Sequence, residues 1–161
     1  SKNRKVSYDT LSNYLGYIEE AFLAYKTERY NIKGKDVVAG NCKYYLNDLS
    51  FKNFLYPGFA YGVGYLLENA VYLELRRLGY IVYTGSFRDK EVDFVAMKDD
   101  RVIYLQATYM LETAQTMERE YAPLLTIGDN YEKYVVSMDE VQFPSNEGVR
   151  HIQAWNLKEI L

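Results

Sequence analysis

Residues 90–108, KEVDFVAMKDDRVIYLQAT, hold the residue types whose spacing bears on chemistry. They read as two short strands joined by the polar turn Lys98-Asp99-Asp100, with Asp93 between apolar neighbours on the first and Gln106-Ala107-Thr108 closing the second. An acid on one strand and an acid-x-lysine on the next would hold a hard divalent cation on oxygen ligands. Such a cation polarises a phosphate and lowers the pKa of an attacking water. The lysine adds positive charge beside the developing phosphorane. Here the lysine position is Thr108 and its partner acid is Gln106, an amide that offers a neutral and weaker carbonyl ligand. An acid on an apolar strand must be paired, metal-bound or turned to solvent. By strict alternation Val92, Phe94 and Ala96 share one face, and Glu91, Asp93 and Val95 the other.

The elements needed to position these residues follow from periodicity. Ser7 or Asp9 caps a helix over 9–24, with Leu11, Tyr14, Leu15, Ile18, Ala21 and Phe22 on one apolar face. LAYKTERYNI and KDVVAGNCKYYLND then read as a hairpin whose basic tip carries Lys33 and Lys35. A helix followed by a two-strand wing is the second half of a winged helix. LSFKNFLYPGFAYGVG, mixing Gly and Pro with aromatics, is expected as the joint between two units. A long helix over 60–78 follows, stopped by Gly79, with Leu67, Ala70, Val71, Leu75 and Leu78 as its core face and Glu68 beside it. Strands at 80–87, 91–98 and 101–109, a helix over 112–125, a strand in YEKYVVSMD and a last strand with a terminal helical turn complete the chain.

Composition narrows the classes. The 161 residues, 48% hydrophobic and 25% charged, suffice for a core without disulfides or structural metal. A formal charge of −3 argues against a general nucleic-acid clamp but leaves a local patch open. Cys42 is the one cysteine, so no intramolecular disulfide forms, which fits a reducing cytoplasm. With His151 the one histidine, Cys/His zinc sites are excluded; it reads as a packed or surface residue rather than a base. No apolar run reaches membrane-spanning length, and no GxxxxGK[ST] loop offers a nucleotide site. The 18 tyrosines suit half-exposed core positions or a partner surface.

The element order from residue 60 onward, together with TLSNYLGYIEEAFLAYKTERYNIKGK, NCKYYLNDLSFKNFL, LLENAVYLELRRLGYIVYTG, KEVDFVAMKDDRVIYLQATYML and DNYEKYVVSMDE, resembles the C-terminal PD-(D/E)XK nuclease-like domain, a domain of unknown function, of a prokaryotic family of AAA-type P-loop ATPases. The resemblance covers nearly the whole chain. It implies an α/β fold in which a partial winged-helix segment, 1–56, precedes a restriction-endonuclease-like domain, 57–161. It also implies an upstream ATPase domain, consistent with the abrupt polar start SKNRKV. Glu68 matches the family's helix acid, Asp93 its strand acid, and Gln106 the third ligand position, so that Glu68, Asp93 and Gln106 would hold Mg²⁺. Thr108 at the lysine position implies a degenerate site, with Lys90, Arg88 and Arg119 the nearby cations in sequence that could replace the lysine. The expectation is a non-catalytic regulatory or interaction domain of a cytoplasmic ATPase, with its own ATPase domain, DNA or a second copy as partner. The alternative is a Mg²⁺-dependent DNA nuclease, with Lys33 and Lys35 meeting phosphate.

Overall fold

The computed structural model describes residues 6–58 and 62–161. It is a mixed α/β fold built on one seven-stranded sheet in the order β2-β1-β3-β4-β5-β6-β7. The strands are β1 (Ala24–Asn31), β2 (Asp36–Leu46), β3 (Ile81–Phe87), β4 (Lys90–Lys98), β5 (Arg101–Ala107), β6 (Glu132–Ser137) and β7 (Val149–Gln153). β1 runs parallel to β3, and β5, β6 and β7 are mutually parallel, whereas the pairs β1–β2, β3–β4 and β4–β5 are antiparallel. The helices are α1 (Tyr8–Glu20), α2 (Ser50–Leu55), α3 (Val63–Arg77) and α4 (Ala114–Leu125), with a closing 3-10 helix at Ala154–Glu159. Among the described residues no helix is long and apolar enough to cross a membrane.

Each face of the sheet is covered by one helix. Leu67, Val71, Tyr72 and Leu75 of α3 pack on Phe94, Ala96, Ile103, Leu105 and Tyr134. Tyr121 and Leu124 of α4 pack on Val92, Val95, Tyr104 and Val135 from the other side. α3 ends as its sequence implies: Gly79 takes a φ of +88°, and its N–H returns to the Arg76 carbonyl. The expected core face of α3 holds for Leu67, Val71 and Leu75 but not for Ala70, which is exposed; Asn69 and Tyr72 are buried in its place. Asn69 is buried because its carboxamide bonds both the N–H and the carbonyl of Leu46, at 2.8 and 2.9 Å, which pins α3 to β2. The expected start of this helix at 60 lies outside the described residues.

Two findings differ from the local reading of the sequence. First, the hairpin is no separate wing. β1 pairs with β3 through Arg29–Thr84, Tyr30–Gly85 and Asn31–Ser86, and Ile32 is buried among Val92, Val95 and Tyr104. The sheet therefore continues across the boundary expected between residues 56 and 57. Parallel pairing between strands some fifty residues apart leaves no local trace in either strand. Second, β4 carries an extra residue opposite β3. Tyr83 pairs with Val95 and Gly85 with Val92, so three steps of β4 face two of β3. Such a bulge re-aims side chains. Val92 accordingly joins Val95 on the α4 face instead of sharing a face with Phe94 and Ala96, which lie on the α3 face.

Gly85 lies opposite this bulge and has no room for a side chain. A Cβ there would stand 2.8 Å from a Val95 methyl carbon and 3.0 Å from Val92 Cβ. Gly85→Ala is therefore expected to destabilise by about 1–3 kcal/mol through overpacking, read as a lower denaturation midpoint. An unchanged midpoint would mean the bulge relaxes without cost.

Candidate functional site

Asp93 lies where β4 and β5 part. The regular ladder ends at Phe94–Leu105. At the next level side chains take over the bonding: the Gln106 amide oxygen accepts the Asp93 N–H at 3.3 Å, and Asp93 Oδ2 accepts the Ala107 N–H at 2.9 Å. Gln106 also donates through Nε2 to Glu120 of α4 at 3.3 Å, and Arg119 holds the other oxygen of Glu120 at 2.6 Å. Gln106 thus joins the splayed strands to α4.

The second acid comes from α3. Glu68 Oε1 accepts the Tyr45 hydroxyl at 2.7 Å and the Lys43 ammonium at 2.9 Å. The same Lys43 Nζ stands 2.9 Å from Glu91 Oε1 and 3.6 Å from Asp93 Oδ1. Arg29 completes the group by reaching Glu91 Oε2 at 2.8 Å. Lys43 and Tyr45 lie two residues apart on β2 and so share a face, the α3 side, where Tyr45 stacks on Tyr72 with ring centroids 4.2 Å apart. A cavity of about 650 Å³, lined in part by Leu49, Tyr65 and Leu66, opens beside Lys43 and Glu68.

The structure therefore brings Glu68 and Asp93 together and seats Gln106 at their edge, but the cation comes from a residue the sequence did not single out. Thr108 is buried beyond the end of β5, its N–H bonded to the Val136 carbonyl. Of the three nearby cations, Lys90 reaches the Ala122 carbonyl at 3.5 Å, Arg88 lies over the Phe87 ring, and Arg119 is held by Glu120. Lys43 alone of these lysines and arginines joins both acids. The signal that could have found it is a lysine two residues before Tyr45, on the same face of one strand. It carried no weight while the hairpin was read as a separate unit.

These groups do not fit a divalent cation as arranged. The Lys43 ammonium already lies against Glu68 and Asp93, and the Gln106 carbonyl is turned to a backbone N–H. Among the described residues no group of three or more His, Cys, Asp or Glu side chains is arranged to hold a metal ion.

The other sequence-flagged residues lie elsewhere. Lys33 and Lys35 flank Gly34 at the exposed hairpin tip, where Asn31 Oδ1 accepts the N–H groups of Lys33 and Gly34 and the Lys35 ammonium lies over the Tyr131 ring. Cys42 is half-buried on β2. His151 is buried beside Ser137 and Asp139 in an arrangement that resembles a nucleophilic triad only in composition. The Phe143 N–H donates to His151 Nδ1, which places the ring proton on Nε2, 2.8 Å from Ser137 Oγ; the hydroxyl in turn donates to Asp139. With no lone pair facing the serine, the histidine is no general base there. Burial lowers its pKa, with Asp139 opposing.

Comparison with known proteins finds two relatives. The chain is 36% identical over 137 residues to an uncharacterized protein of Haemophilus influenzae, a match covering 85% of this chain and 34% of that protein. It is 32% identical over 122 residues to an uncharacterized protein of Methanocaldococcus jannaschii, covering 73% of this chain and 26% of that one. The chain thus spans about a third of the first relative's length and about a quarter of the second's. No family model matches the chain, and no solved structure matches it.

Asp93 carries a measurable consequence. Burial first, and the neighbouring Glu68 charge second, push its carboxyl up to about 7, with Lys43 opposing. Lys43 itself is raised by the surrounding carboxylates, which outweigh its desolvation. Two cations, Lys43 and Arg29, face three carboxylates, so one carboxylate lacks a countercharge. Asp93, the deepest and farthest from Nζ, is the one that keeps its proton. The folded state then holds a proton that the unfolded chain releases near pH 4, so stability falls as pH rises from about 4 to about 7 and levels above it. Asp93→Asn is expected to flatten that fall, by about 1.4 kcal/mol for each unit of the shift. Urea midpoints at pH 5 and pH 8 for both proteins measure it. An undiminished fall in the variant would assign the slope to other groups.

Proposed function

We propose that this chain is a non-catalytic interaction domain, built on a restriction-endonuclease-like core, of a larger cytoplasmic P-loop ATPase. The observation that carries the reading is that the polar groups of the nuclease position are bonded within the chain: Thr108 replaces the lysine, Gln106 spans Asp93 and Glu120, and Lys43 neutralises the acid pair. The antiparallel β3-β4-β5 unit, the parallel β6 and the helices on opposite faces support the nuclease-like core. The much greater length of both relatives leaves room for an ATPase domain in proteins of that kind. Partner binding is supported by α1, which buries none of its residues and leaves Leu11, Tyr14 and Tyr17 more than half exposed. Surfaces of this kind mark contacts with another domain or a second copy.

A Mg²⁺-dependent DNA nuclease is the second reading, and one observation favours it: Lys43 restores an ammonium beside Glu68 and Asp93, where a nuclease would use one. Lys33 and Lys35 at the exposed tip would then face phosphate.

Incubation of supercoiled and single-stranded DNA with Mg²⁺ or Mn²⁺ separates the two. No cleavage is expected from the wild type, nor from Glu68→Ala or Asp93→Ala. Wild-type cleavage abolished by both substitutions would make the protein a nuclease that draws its lysine from β2.

A further inference from the structure

The misfit between the acid pair and a divalent ion has a specific cause, and that cause is a single side chain. We propose that Lys43 is the resident cation of this site: a tethered ammonium that closes the Glu68–Asp93 pair to divalent metal. The inference rests on reading these acids as a retired cation site.

The geometry is that of an occupied site. One ammonium has three protons and no lone pair, and Lys43 Nζ has three carboxylates around it, at 2.9, 2.9 and 3.6 Å. A divalent ion bridging Glu68 and Asp93 at ordinary metal–oxygen distances of about 2.0–2.5 Å would need the volume the ammonium fills and would face its charge. Lys43 is also held in place from several sides. Its backbone is in register with Thr27 of β1, itself joined to the central sheet through β3. Two residues on, Tyr45 bonds the same Glu68 oxygen and stacks on Tyr72. One residue further, Asn69 clamps both backbone groups of Leu46. Arg29 takes the far oxygen of Glu91, which leaves its near oxygen to Lys43. The hairpin thus delivers a fixed charge to the one place where two buried acids require it, and a metal gains entry only when that charge is withdrawn.

Mn²⁺ binding, followed by the electron paramagnetic resonance of the free ion, tests this without reference to cleavage. The wild-type chain is expected to show no saturable site. Lys43→Met and Lys43→Gln are expected to gain one saturable site, lost again when Asp93→Asn is added. Wild-type binding as tight as that of the variants overturns the proposal, as does a folded variant that gains nothing. Should both variants fail to fold, the wild-type Ala107 amide, which donates to Asp93, serves as reporter. Its selective broadening by Mn²⁺ refutes the proposal, and its persistence supports it. DNA cleavage by the wild type would instead sink the non-catalytic reading, so the two failures are distinguishable.

Discussion

Burying two carboxylates side by side is the constraint around which the rest of this protein is arranged. Taking an ion out of water costs several kcal/mol even after relaxation, and neighbouring like charges raise that cost. Glu68 and Asp93 are nearly buried, at 13% and 11% side-chain exposure, and each lies against Lys43. The fold meets the cost in three ways at once. It supplies an ammonium, it adds the Tyr45 hydroxyl to the Glu68 oxygen that Lys43 holds and the Ala107 N–H to the far oxygen of Asp93, and it lets Asp93 hold a proton near neutrality. Each needs a different element, β2 for the ammonium and the hydroxyl, β5 for the N–H and β4 for the protonated acid, and so the site exists only in the assembled sheet.

Asp93 reaches that position because β4 breaks its own alternation. Without the extra residue opposite β3, strict two-residue periodicity would put Asp93 on the same side as Val95, among the apolar residues under α4. The bulge turns it toward Glu68 instead, at the cost of a crowded spot that a glycine at 85 relieves. The ladder between β4 and β5 opens at the same level, and the side chains of Asp93 and Gln106 replace the backbone bonds it gives up. A polar constellation in a sheet interior requires some such local loss of regularity, because a fully paired strand presents only its two faces and no free backbone donors.

Much of this was legible in the residues, and what was not has a physical reason. The hairpin, α3, the three antiparallel strands and α4 follow from periodicity and from Gly79, whose positive φ ends α3. Glu68, Asp93 and Gln106 were singled out through the resemblance to a nuclease-like domain, and periodicity by itself marks only Asp93, an acid between apolar neighbours. Lys43 was not. It meets Asp93 only because β1 pairs in parallel with β3, a contact between distant segments that neither strand's composition records. The bulge was invisible for a related reason: it is a property of the register between two strands, and KEVDFVAMK read alone alternates well enough. His151 stayed ambiguous because its role depends on which ring nitrogen meets Ser137.

The β2 origin of the lysine separates this site from one in which the lysine stands on the same strand as its partner acid. A lysine two residues after the acid moves with that acid, so site geometry and charge are fixed together. Lys43 instead belongs to the β1–β2 hairpin at the edge of the sheet, and among the described residues β2 has a neighbour on only one side. An edge strand is held by one ladder where a central strand is held by two, and so is the easier to shift. The tip of the same hairpin is exposed, and its chain leads back to α1, whose apolar residues lie uncovered by the described residues. The electrostatics of the buried acids are therefore tied to an edge strand and not to the centre of the sheet. A contact that moved β2 by a few ångströms would leave two carboxylates without their cation, and the cost of that state gives such a contact energetic leverage over the core.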